Sequence, residues 1–176
     1  MRTFRVTLLS LAVLFCMPIA HAQNDTINMT VSGLSCNSPG KGQGDGMKVT
    51  SWQMGFDQTL NIGSQGSGAG AGKATFQPLT VTRPFDECSP GLLPNLFTGT
   101  VLKTVTLAQY GSSKGDNAGV PLMVVTLTTA AISNYTIGGD ATHDPAEVWT
   151  FKAEKICVKN VGNNAQACWD FATNTR

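Results

Sequence analysis

The sequence predicts a mainly β fold: a compact antiparallel β-barrel or two-sheet sandwich of about eight strands with one short α-helix. Three observations carry this. Apolar residues alternate with a period of two through most of the chain, as in Ile27, Met29 and Val31. Charged residues are only 13%, and glycines number 19 of 176, without long Ala/Glu/Lys/Leu runs. One segment alone, Ser89 to Gly99, carries apolar residues at helical spacing. Sparse charge excludes a coiled coil and a nucleic-acid binder with a basic face. The 41% hydrophobic content excludes a disordered chain.

The first segment is read as a signal peptide rather than as part of the globule. Arg2 and Arg5 precede an apolar run from Val6 to Ile19, and Ala20-His21-Ala22 is a small-x-small cleavage site. Residues 1–22 are therefore expected to be removed, leaving 23–176 as one domain. Loss of the two arginines takes the formal charge from +1 to about −1, which implies neither a nucleic-acid nor a membrane partner.

Within the domain, Ile27 to Val31 reads as the first strand. Gly33 to Gly46 is a long Gly/Pro/Ser/Lys loop. A second strand begins near Met47, and its apolar phase slips between Val49 and Trp52, which predicts a bulge or a bend where the strand changes face. Gly63 to Gly72 has the composition of a linker. Lys73 to Thr82 is a strand whose Pro78 points to an edge or a bulge. Ser89-Pro90 reads as an N-cap followed by a first-turn proline. The helix would end at Gly99, shortened or distorted by Pro94. Val101 to Tyr110, Leu122 to Thr129 and Ile132 to Ile137 read as further strands, and Gly138 to Pro145 as a loop. Glu147 to Lys159 and Ala165 to Phe171 read as a closing hairpin.

Four cysteines remain after cleavage: Cys36, Cys88, Cys157 and Cys168. An even number behind a signal peptide reads as two disulfides. Cys157 and Cys168 lie equally far from the centre of the Val161-Gly162-Asn163-Asn164 turn. A four-residue loop places them opposite each other at a non-hydrogen-bonded site, where cross-strand side chains are closest. Cys157–Cys168 is the expected bridge, leaving Cys36–Cys88 by elimination. There is no CxxC spacing, so no metal site is expected.

The other candidate motifs are weak. The glycine run ends in Gly72-Lys73, but Ser67 and Ala74 stand where a phosphate loop needs Gly and Ser/Thr. Asp140, His143 and Asp144 could do acid–base work, yet the flanking Gly138-Gly139 and Pro145 favour a solvated turn. Trp52, Trp149 and Trp169 sit in alternating apolar stripes, so they read as core rather than as sugar platforms. No catalytic residue, cofactor or metal is expected.

Several segments, in order, resemble the haemolysin-coregulated protein (Hcp) family of type VI secretion. They are Val49-Thr50-Ser51-Trp52-Gln53-Met54-Gly55, Gly70 to Pro84, Ser89-Pro90-Gly91-Leu92-Leu93, Thr98-Gly99, Val105-Thr106-Leu107, Glu147 to Ile156, and Trp169-Asp170-Phe171. The most specific stretch runs from Gly72-Lys73 through Phe76, Leu79 and Pro84 to Ser89-Pro90. The resemblance implies a non-enzymatic structural protein with an Hcp-like barrel, six copies of which close into a ring. Rings would stack into a tube that can carry effectors. The partners implied are therefore further copies of the chain, effectors and secretion-machine proteins. The Gly33 to Gly46 loop matches the family's inter-ring loop, with Ser38, Lys41, Gln43 and Asp45 as its expected stacking residues. The signal peptide and paired cysteines depart from ordinary members and imply an exported bacterial relative, periplasmic or extracellular. The alternative is a secreted monomeric β-sandwich that binds a carbohydrate or protein ligand.

Overall fold

The structure is a computed structural model that describes residues 26–34, 46–61, 70–111 and 119–176. The signal segment 1–22, Cys36, and the loop residues Ser38, Lys41, Gln43 and Asp45 lie outside the described residues. Eight strands and one helix follow in the order β1 (Thr26–Val31), β2 (Met47–Val49), β3 (Ser51–Asn61), β4 (Gly70–Pro84), α1 (Ser89–Thr98), β5 (Leu102–Tyr110), β6 (Pro121–Asp140), β7 (His143–Asn160) and β8 (Gln166–Asp170). The mainly β fold read from the sequence is the fold observed.

One antiparallel sheet contains all the strands, in the order β2-β1-β5-β6-β7-β4-β3, with β8 paired to β7 off this path. β2 and β3 stand at opposite ends of the path, yet a single residue, Thr50, joins them. The sheet must curl until its ends approach. Thr50 secures the junction to β4, because its amide and hydroxyl both donate to the Thr82 carbonyl, at 2.8 and 2.9 Å. The phase slip between Val49 and Trp52 is this corner: Met47 and Val49 face the core beside β1, and Trp52 belongs to the β3–β4 pair.

The inward faces meet in one core. Met29, Met47, Val81, Leu107, Leu127, Trp149 and Phe151 are all essentially without exposed surface. Leu92 carries α1 into the same cluster. Leu79 and Val81 point inward on β4, as Trp149 and Phe151 do on β7, and strand alternation turns the residues between them outward.

Four details correct the sequence reading. Leu122 to Thr129 and Ile132 to Ile137 are one strand, the 20-residue β6. The apparent break is a change of face. Val125 and Leu127 point inward before it, and Ala130 and Ile132 after it. Thr129, between them, has a φ of 51°, the left-handed region. Gly138 to Pro145 is not a loop: β6 runs to Asp140, which pairs with His143 at the start of β7. Ser89 is the first helical residue rather than the cap. The cap position is Cys88, whose side chain does not cap the first turn. Pro94 does not shorten α1, which continues to Thr98 and stops at Gly99 with a φ of 62°. A proline there removes only a bond to the carbonyl of Pro90, an exposed first-turn residue that water can serve. Pro78 sits at a bulge as expected, in the register shift between Gln53 and Gly55.

Candidate functional site

The helix is fastened to the sheet by a buried charged cluster. Arg83 in β4 and Glu147 in β7 are direct register partners. Neither has exposed surface. Arg83 Nη1 donates to Glu147 Oε1 at 2.5 Å and to Ser89 Oγ at 3.2 Å. Ser89 Oγ donates to Glu147 Oε1 at 2.7 Å and accepts the Asp86 amide at 3.1 Å. Arg83 Nη2 pairs with the Asp86 carboxylate, and Nε donates to the Lys48 carbonyl at 3.4 Å. The Tyr135 hydroxyl donates to Glu147 Oε2 at 3.3 Å. Burial first, and the Glu147 carboxylate second, push the Tyr135 hydroxyl above its ordinary pKa. The carboxylate and guanidinium are shut off from solvent and spend their hydrogen bonds on protein partners. The cluster therefore works as a clamp joining β4, β7 and the start of α1.

The β7–β8 hairpin holds the disulfide read from the sequence. Cys157 faces Cys168 in register, with Cα atoms 4.0 Å apart, and the two are bonded. Asn160 N donates to Ala165 O, and Phe171 N donates to Glu154 O. Alternation between these bonded pairs puts Cys157 and Cys168 at a non-hydrogen-bonded position, the closest kind. Cys88 is buried beside α1. Its expected partner, Cys36, lies outside the described residues.

Asp140 and His143 meet in an exposed turn between β6 and β7. Asp140 Oδ1 accepts from the Thr142 amide at 2.7 Å, the Thr142 hydroxyl at 2.6 Å and the His143 amide at 3.0 Å. His143 Nδ1 lies 3.0 Å from the same carboxylate. The Thr142 hydroxyl and amide, then His143, lower the Asp140 pKa to about 2. This is turn chemistry in open solvent, as the sequence suggested. The tryptophans are packed rather than displayed. Trp149 is fully buried and its ring centroid lies 4.2 Å from that of Tyr135. Half-buried Trp52 donates to Gln109 Oε1 at 3.2 Å.

Surfaces suited to other chains are strand edges. Among the described residues, no strand covers the outer edge of β3, β2 or β8. β7 pairs with β4 only from Leu79 to Pro84, and from Lys155 onward it pairs with β8. The first half of β4 thus keeps β3 on one side but has no β7 residue paired to it on the other. The C-terminal turn lies against it instead. The Ala74 amide donates to Asn174 Oδ1 at 3.3 Å, and Phe171 packs on Phe56 and Phe76 with centroids 6.1 and 5.7 Å away.

Residues 28–159 match the family model described as "Type VI secretion system effector, Hcp". The chain belongs to the Hcp family. No curated protein matches its sequence. Solved structures agree on the fold. Hcp1 from Salmonella typhimurium is 16% identical, with a TM-score of 0.70 over 86% of this chain and 99% of that one. A type VI secretion system effector from Yersinia pestis is 18% identical, with a TM-score of 0.64 over 82% and 98%. The secreted protein Hcp3 from Pseudomonas aeruginosa is 18% identical, with a TM-score of 0.58 over 84% and 97%. Hcp proteins are tube proteins of type VI secretion, and the chain is of this kind.

The buried pair is the feature that sequence reading missed. Arg83 and Glu147 both stand in stretches that resemble Hcp, but 64 residues separate them. Only the β4–β7 register brings them together.

Proposed function

We propose that the chain is an exported, non-enzymatic Hcp protein that closes into hexameric rings, which stack as tube segments or carry effectors. Family membership supports self-association. The observation that carries the reading is the curled sheet whose outer edges at β2 and β3 are uncovered among the described residues. A head-to-tail contact between unlike edges of identical copies, repeated by rotation, closes into a ring. Such a contact also covers edges that would otherwise invite aggregation. Ser38, Lys41, Gln43 and Asp45 are proposed to reach the adjacent ring, with further copies, effectors and secretion-machine proteins as partners.

Signal cleavage after Ala22 and a second disulfide, Cys36–Cys88, belong to the same proposal. Leu34 packs on the first turn of α1, so closely that a side chain on Gly91 would lie 2.9 Å from Leu34 Cδ1. Cys88 caps that same turn. Cys36 follows Leu34 by only two residues, which supports its pairing with Cys88. Both bridges suit a periplasmic or extracellular site.

Native mass measurement on the oxidised 23–176 protein tests the assembly. Six copies are expected, and a strict monomer at high concentration would overturn the ring. Peptide mapping without reduction tests the bridge: a peptide joining Cys36 to any partner but Cys88 removes it.

A further inference from the structure

The outward face of the β7–β8 hairpin frames its disulfide unevenly. Ile156 is buried and Val158 packs on the core. Lys155, Cys157 and Lys159 alternate with them and so share the outer face of β7. Their register partners on β8 are Asp170, Cys168 and Gln166. The bridge therefore lies on the surface of the sheet, not in the core, and both of its cysteines are half-buried.

The two sulfurs have unlike electrostatic surroundings. Cys157 has a lysine two residues away on either side, about 7 Å along the strand. Lys155 faces Asp170 across the hairpin, and Lys159 joins no ion pair among the described residues. Cys168 has Asp170 on one side and Gln166 on the other, whose Nε2 donates to Cys168 Sγ at 3.1 Å. Positive charge stabilises a thiolate and negative charge opposes it. A neutral donor on sulfur is weak beside two cations. When the bridge breaks, the electron pair is better held on Cys157.

Access is uneven in the same sense. An attacking thiolate approaches a sulfur from the side opposite the bond it breaks. Cys157 stands between β8 and β6, with Thr126 as its register partner on the far side. Cys168 stands on β8, beyond which no strand runs among the described residues. This edge is separate from the β2 and β3 edges that a ring would use.

We propose that Cys157–Cys168 is a thiol–disulfide exchange site for external thiols, with Cys168 as the sulfur attacked and Cys157 as the leaving thiolate. An external thiol gives its proton to solvent, and its thiolate bonds to Cys168 Sγ as the Cys157–Cys168 bond breaks. The electron pair of that bond goes to Cys157, between Lys155 and Lys159. A second external thiolate then attacks the sulfur of the first. Cys168 leaves as a thiolate, and the two external thiols are left oxidised to a disulfide. Both cysteine thiolates take protons from solvent. β8 leads directly into Phe171, which packs on Phe76, and Asn174, which accepts from the Ala74 amide. Opening the bridge therefore loosens the backing of β4.

The test uses the oxidised, folded 23–176 protein after any reduced thiol has been blocked with N-ethylmaleimide. Glutathione and a reduced C-x-x-C protein are added in parallel. Reaction with either supports the site, and the faster of the two names the class of partner. After alkylation with iodoacetamide, peptide mapping is expected to find glutathione on Cys168 and the alkyl group on Cys157. Lys155→Gln with Lys159→Gln should slow the exchange by about two- to fivefold, and Lys159→Arg should not. Rates should stay level in denaturant below the unfolding transition, because the folded hairpin is the species that reacts. If the lysine variant loses stability, the mapping on the parent protein decides. Glutathione on Cys157, a rate indifferent to the lysine pair in a stable variant, or a rate that climbs with denaturant below the transition overturns the proposal. So does a bridge that survives both thiols in the folded protein.

Discussion

Arg83 and Glu147 face each other across β4 and β7 with no exposed surface, joined at 2.5 Å, and between them hold Ser89 at the start of α1. Breaking one side of such a pair leaves an uncompensated buried charge. Arg83→Met is expected to destabilise the domain by about 3–5 kcal/mol, read by denaturant unfolding of the oxidised protein. The double substitution Arg83→Met with Glu147→Leu should recover much of that loss. A single substitution costing under about 1 kcal/mol would show that the pair does not clamp the helix.

Tyr135 adds a third grip on Glu147, through a 3.3 Å hydrogen bond. Tyr135→Phe should cost about 0.5–1.5 kcal/mol. The pH dependence has a definite sign. The folded pKa lies above the ordinary value of 10.0, so the protonated phenol is favoured in the fold. That contribution is complete below pH 10.0 and is lost as pH rises through the folded value. Ultraviolet titration of tyrosinate, compared between the parent and Tyr135→Phe, should show one late-titrating group missing from the variant.

The Cys157–Cys168 bridge closes a loop with a sequence separation of 11. Replacing both cysteines by serine should cost about 2–3 kcal/mol, chiefly by freeing the unfolded chain. Thermal melting in the absence of reductant measures this. Because the hairpin is short and local, the variant should keep its β-rich circular dichroism spectrum at room temperature.

Asp140 organises its exposed turn only while ionised. Its pKa is lowered from 3.8 to about 2, so the turn's bonds are intact above pH 3.8 and are lost as pH falls toward 2. Amide resonances of Thr142 and His143 should follow the Asp140 carboxyl in an acid titration. A midpoint at 3.8 or above would contradict the capping geometry. His143→Ala should leave the Thr142 bonds in place and shift the midpoint only partly back.

Features written within a few residues are legible in the sequence itself. The β7–β8 hairpin is one: a turn sequence and two equidistant cysteines set its register and its bridge. The helix is another, because apolar spacing and a terminal Gly99 mark its extent. Legibility ends where local rules meet long-range demands. Thr129 reverses the face of β6, and in the sequence the reversal reads as a gap between two strands. Ser89 reads as a cap because Ser before Pro favours that role, but its hydroxyl is drawn instead to Arg83 and Glu147.

By itself, the sequence determined the β class, the single helix, the corner near Thr50 and the Cys157–Cys168 pairing. Alternation, turn residues and caps are enforced by neighbours along the chain. The tertiary structure alone decided that Arg83 meets Glu147 across 64 residues and that Asn174 reaches Ala74 across 100. It likewise decided that Phe171 packs on Phe56. These contacts depend on how a curled sheet brings distant strands together, and no local pattern of residues encodes that path.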